Sequence, residues 1–252
     1  TGSANIHVSG GNAWLVYGGS EEGTLTGSAE VNISGGNVGF VTGGGERAET
    51  NGNTSVHITG GRVERKIYGG GIFGRINGDT SLRIENAIVN SVFGGNEYSG
   101  TVTGNTKLVF GEGAQVNGWV YGGGAGFDDT NRTEVLGSAN IIINGGEFWK
   151  NVYGGGAWRG AWVGGSNITV NGGTVHYEMY AGGEETSYVA GTSRVTVNGG
   201  YVDRIYASGA GYNGTEALVE NVDIRIQGGT VDSFWAFKER HDNGTGSNVG
   251  IS

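Results

Sequence analysis

Neither cysteine nor proline occurs among the 252 residues, and methionine occurs once. Without cysteine there is no disulfide framework and no thiolate zinc site. Without proline a collagen-type helix is excluded, since it needs proline beside a glycine at every third position. Charge is scarce as well: 15% of residues are charged, Lys+Arg 15 against Asp+Glu 24, for a net charge of −9. The basic footprint that neutralises phosphates is missing, which argues against a nucleic-acid or anionic-membrane partner. No apolar run approaches the ~18 residues of a membrane-spanning helix, so no membrane insertion is expected. What the chain has in excess is glycine, 56 residues against a usual share of ~7%.

The glycines are periodic. Gly2, Gly27, Gly52, Gly78, Gly104, Gly137, Gly164 and Gly191 are spaced by 25, 25, 26, 26, 33, 27 and 27 residues. Each opens a unit with alternating apolar and polar residues, and a ninth unit follows around Ile224. The first apolar column is Ile6, Val31, Val56, Leu82, Leu108, Ile141, Ile168, Val195 and Ile224. Two residues on, the second is Val8, Ile33, Ile58, Ile84, Phe110, Ile143, Val170, Val197 and Ile226. A mostly polar column from His7 and Asn32 to Thr196 and Arg225 lies between them. Period-two alternation puts the aliphatics on one face of a strand and the polar residues on the other.

A Gly-Gly corner follows the strand, as at Gly10-Gly11 and Gly35-Gly36, where glycine adopts positive φ without a Cβ penalty. A second short strand then ends in an aromatic residue before another glycine run. That column reads Tyr17, Tyr68, Phe93, Tyr121, Tyr153, Tyr180, Tyr206 and Trp235, with Thr42 the exception. A third apolar position closes most units: Leu25, Ile76, Val102, Val135, Trp162, Val189 and Leu218. Three short strands per ~25 residues describe one turn of a solenoid whose stacked columns bury a core that no unit could bury alone. The fold expected is all-β: a single three-sided parallel β-helix (β-solenoid) over residues 1–252, with about nine coils of 25–33 residues. Right-handed winding is expected, as for parallel crossovers in general. The aromatic column either braces a corner by stacking or forms an exposed ladder.

Gly246-Ser247-Asn248-Val249-Gly250-Ile251-Ser252 aligns with Gly165–Asn171, as the first strand of a tenth unit. The expectation is a piece of a longer array, with open strand edges that favour end-to-end self-association. The recurring Gly-[Asn/Ser]-[Thr/Ala]-x-[Val/Ile]-x-[Ile/Val]-x-Gly-Gly-x-Val…[Val/Ile]-Tyr-Gly-Gly-Gly pattern resembles the glycine-rich β-strand repeats of large bacterial surface and adhesin-like proteins. The resemblance covers essentially the whole chain. It implies a secreted module at the bacterial cell surface, a stalk or adhesin that is not an enzyme. Its partners would be a glycan or a host or bacterial surface protein. The fold is equally compatible with a carbohydrate-active β-helix, either a polysaccharide-binding module or a lyase- or hydrolase-like domain.

Catalytic constellations are sparse. Of the motifs of β-helical polygalacturonases only one Asp-Asp is present, Asp128-Asp129, and His7, His57, His176 and His241 fall in different units. Asp203 and Asp232 share a column of adjacent coils, about 5 Å apart on strand spacing, which is a retaining-glycosidase separation or a solvated ladder beside Arg204. The 33-residue unit carries an insertion with Asp128, Asp129, Asn131 and Glu134, hard oxygen donors of the kind calcium prefers. No EF-hand or nonapeptide calcium spacing accompanies them, so a solvated acidic loop is the alternative and no cofactor is required.

The aromatic residues of the same region give the ligand-binding expectation. Trp149, Trp158 and Trp162 fall within Glu147–Val163, and Phe127 sits one coil before Trp158. Phe127 and Trp158 would pair as an apolar platform, while Asp128 and Arg159 hydrogen-bond a glycan or partner, with Trp149 nearby. Trp162 falls on the third apolar column and is expected in the core. Local packing beneath long loops is the alternative for all of these rings.

Overall fold

The structure is a computed structural model that describes residues 2–211, 217–236 and 248–251, the last segment by its backbone alone. The described residues are all β-strand, turn and loop, and every strand pairing is parallel. Two sheets run the length of the molecule. The first face is built from the alternating segments, from Ala4–Val8 and Ala29–Ile33 through Thr80–Ile84 and Thr133–Ile143 to Leu218–Ile226 and Asn248–Ile251. Its registers follow both apolar columns: Ile6 pairs with Val31, Val31 with Val56, Leu108 with Ile141, and Val195 with Ile224. The second face runs from Asn12–Tyr17 through Arg62–Tyr68 and Thr174–Tyr180 to Thr230–Trp235.

The third side is slighter. In the early coils it is a ladder of single bridges, Leu25 to Thr50 to Ile76 to Val102. Later it joins the next first-face strand, so that Thr133–Ile143, Ala161–Val170 and Tyr188–Val197 each cover two sides across a break in register. The result is a parallel β-solenoid of about eight turns. That is slightly fewer than the nine coils expected. The segment Asn248–Ile251 pairs Ile251 with Ile224, two residues from the register given by aligning the repeats.

The lumen is filled by aliphatics. Val31, Ile58, Leu82, Leu108, Ile141, Val152, Ile168 and Val195 are at most 1% exposed and belong to one continuous cluster. Each such side chain contributes roughly 1.5–3 kcal/mol of transfer free energy, but only because the coil on either side covers it. A polar ladder fixes the corner opposite the first face. The hydroxyls of Thr54, Thr80 and Thr106 donate across the lumen to the carbonyls of Gly69, Gly94 and Gly122 at 2.6, 2.6 and 2.5 Å, and Ser166 donates to Ala181 at 2.7 Å. These small hydroxyl residues open the first-face strands and tie them to the glycine corner of the same coil. At that corner a Cβ on Gly122 would lie 2.3 Å from the carbonyl oxygen of Gly154, so the coils approach at a distance only glycine permits.

Candidate functional site

The aromatic column lies outside the lumen and is nevertheless buried. Tyr68, Phe93, Tyr121, Tyr153 and Tyr180 are at most 2% exposed, and they stack with centroid separations of 4.7 to 5.0 Å that continue to Tyr206. Neighbours alternate across the strand: Val152 faces the lumen cluster while Tyr153 joins the ring cluster. After the glycine run the chain folds back over the rings, placing Ala125, Ala157 and Ala210 in that cluster. Carboxylates receive the hydroxyls. Tyr121 donates to Glu184 at 2.5 Å and Tyr180 to Glu178 at 2.5 Å, while Tyr153 reaches Glu184 at 3.4 Å. Burial, reinforced by these carboxylates, drives the phenol pKa values far above the usual range. The tyrosines stay neutral, and the stacked rings brace a corner.

Outside this buried stack runs a second, exposed strip. The loops of three successive coils carry Phe73, Tyr98 and Phe127, which are 42%, 41% and 64% exposed. Phe73 stacks on Tyr98 at 5.4 Å with an interplanar angle of 13°, and Tyr98 meets Phe127 at 6.0 Å. The Arg47 guanidinium lies over Phe73 at 5.8 Å. Phe73 and Tyr98 escaped the reading of the sequence. Their signal was an aromatic residue five positions past the buried ring of the same coil, Tyr68 to Phe73 and Phe93 to Tyr98.

Phe127 therefore joins the strip toward the amino-terminal coils, and Trp158 is not its partner. Trp158 turns back over the buried stack, 6.4 Å from Phe93, with the Lys66 ammonium 5.2 Å from its ring. Its φ of 60° is the left-handed conformation that a tryptophan rarely adopts. Trp149 lies on the second face, stacked at 4.0 Å on His176, which contacts Glu147 at 2.5 Å. Trp162 is 41% exposed, against the expectation of burial, and packs on Tyr188 at 4.8 Å. Val163 takes the core position, in register with Val135 and Val189, and Val219 likewise replaces Leu218.

The acidic insertion is engaged with itself. One oxygen of Asp128 accepts the amides of Thr130 and Asn131 at 2.8 and 2.7 Å and the Thr130 hydroxyl at 2.6 Å. These donors hold its pKa well below the usual carboxylate range. Asp129 is bonded to Arg159, and Glu134 accepts from Thr101 at 3.4 Å. Of the calcium candidates, Asn131 is bonded to Asp128 at 3.0 Å while Asp129 and Glu134 hold other partners, and no cluster of three or more His, Cys, Asp or Glu side chains suited to a metal occurs among the described residues. Asp203 is bonded to Arg204 at 3.0 Å and Asp232 accepts the Tyr201 hydroxyl at 2.5 Å. His241 lies outside the described residues.

The chain matches no family model, no curated protein and no solved structure. The residues themselves must carry any functional reading. They offer one continuous apolar platform, Phe73–Tyr98–Phe127, bordered by Arg47 at one end and by Asp128 and Arg159 at the other.

Proposed function

We propose that the chain is a non-catalytic, rod-like module of a secreted bacterial surface protein, and that it displays the Phe73–Tyr98–Phe127 strip to an extended glycan. One observation carries this reading: three partly exposed rings lie in contact along consecutive coils of a solenoid whose core is packed in register. Repetition at the coil spacing suits a polymeric ligand whose apolar sugar faces recur along its length, and aromatic rings are the side chains that stack on such faces. Asp128 and Arg159 remain candidates for hydroxyl contacts at the Phe127 end, although both already hold partners within the loop. The resemblance to surface-protein repeats supports the location at the cell surface.

The test is binding of the purified chain to an array of bacterial, host and plant glycans. Phe127→Ala is expected to weaken binding several-fold, since one ring contact is worth roughly 0.5–1.5 kcal/mol beyond area. Trp149→Ala, on the second face, is expected to leave it unchanged. Equal binding by wild type and Phe127→Ala would remove the strip from consideration.

A further inference from the structure

The buried aromatic stack has one missing rung. In the register of the second face, Tyr17 pairs with Thr42, and Thr42 pairs with Tyr68. From Tyr68 onward each coil supplies a ring about 4.8 Å from the last. At the second coil the ring is absent, and a cavity of about 310 Å³ opens there. Tyr17, Thr42, Phe40 and Ile72 line it, and so do the inner edges of Phe73 and Tyr98. Two carboxylates, Glu46 and Glu97, complete the wall. Tyr68 is fully buried and does not line the cavity, so a flat ring placed there would find its aromatic contacts in Tyr17, Phe40, Phe73 and Tyr98.

The far end of the gap has the polarity of a tyrosine site. Elsewhere in the stack Tyr121 and Tyr180 each direct a phenolic hydroxyl at a glutamate. Here Glu46 and Glu97 line the cavity, Glu46 lying 3.7 Å from Arg47. Glu97 is 13% exposed and 4.0 Å from Lys66. Burial raises its pKa, and Lys66 and Tyr68 only partly offset this. The hydroxyl of Tyr68, buried beside it, makes no hydrogen bond of good geometry. Thr42 turns its own hydroxyl away, to the carbonyl of Gly44 at 2.8 Å, and so presents its methyl to the space.

We propose that this cavity is a binding site for a small phenol, a flat six-membered ring with a hydroxyl donor, which packs against Tyr17 and Thr42 and donates to Glu97 or Glu46. The site shares Phe73 and Tyr98 with the sugar platform but not Phe127, so Phe127→Ala distinguishes the two. Neutral p-cresol is the matched probe, and toluene has the same shape without the donor. A hydrogen bond to a charged or acidic acceptor predicts at least about tenfold tighter binding of p-cresol.

The experiment is a titration of the whole chain, free of glycan, with p-cresol and with toluene, followed by amide and methyl NMR shifts at Thr42, Ile72 and Val16. Saturable shifts at these residues are expected, with the tenfold preference for p-cresol. Thr42→Tyr supplies the rung from within the chain and should abolish binding, while Thr42→Val keeps the space and should retain it. Should Thr42→Tyr fail to fold, Glu97→Gln provides the second arm and should reduce the preference for p-cresol over toluene several-fold. The proposal is overturned if p-cresol causes no saturable shift at Thr42, if a folded Thr42→Tyr binds it as wild type does, or if p-cresol and toluene bind alike. A loss of glycan binding in Phe127→Ala with p-cresol binding intact would separate the two sites.

Discussion

Thr50 shows how much a single hydroxyl matters in a stack of this kind. It occupies the third-side ladder between Leu25 and Ile76, is fully buried, and its hydroxyl has no hydrogen-bond partner. Its counterparts on that ladder are aliphatic. A buried polar atom without a partner costs about 1–3 kcal/mol, and valine has nearly the same shape without the penalty. Thr50→Val is therefore expected to raise stability by about 1 kcal/mol, read as an increase of about 2–4 °C in the midpoint of a thermal melt. A midpoint that falls instead would mean that the hydroxyl is satisfied in solution. The hydroxyls of Thr54, Thr80 and Thr106 set the contrast, since each holds a corner carbonyl and the corresponding valine should destabilise.

At the scale of the elements, the loop from Asp128 to Arg132 is ordered by a carboxylate. Thr130 and Asn131 both direct their amides at Asp128, and this lowers its pKa. A depressed folded-state pKa places the ordering fully above the ordinary value of 3.8 and removes it as pH falls through the lower folded value. Hydrogen exchange at the Thr130 and Asn131 amides should show protection at neutral pH that is lost only well below pH 3.8, and Asp128→Ala should lack it throughout. The same scale shows what the sequence could and could not disclose. Both first-face columns were legible because aliphatic or aromatic residues recur at both positions in all nine units and an opening glycine precedes them in the first eight. The third side was misread at Trp162 because the register shifts between Val135 and Ser138. Coil-to-coil offset is 27 residues from Ile141 to Ile168 but 28 from Val135 to Val163, so an offset of 27 selects the neighbouring tryptophan. Burial of the aromatic column was not legible, since it depends on the return of the chain past the glycine corner. Thr42 stood out as the missing ring, but the cavity at its level is set by loops from other coils.

The sheets join each coil to its immediate neighbours, so the molecule behaves largely as a one-dimensional stack, although side chains such as Trp158 and Glu184 reach past the next coil. Ile141 is fully buried at mid-stack, in register with Leu108 and Ile168. Ile141→Asp would bury an unpaired charge there and cost several kcal/mol. The expected outcome is a broadened, two-step denaturant transition in which the halves on either side unfold separately, with hydrogen exchange fastest around Gly104–Val170. A single cooperative transition of unchanged midpoint would show that coupling extends beyond nearest neighbours.

The hydrogen bonds of both sheets join one coil to the next, so they lie along the rod while the covalent chain winds across it. Tension applied at the two ends of the chain meets these bonds a rung at a time, as in a zipper, and never loads a whole sheet in shear. A 25-residue coil that occupied about 5 Å of axis becomes about 85 Å of extended strand, a gain near 80 Å per release. Force spectroscopy should record a low, regular sawtooth with steps of about that length, the longer unit between Gly104 and Gly137 giving the longest. A rod with that response yields under load in small increments.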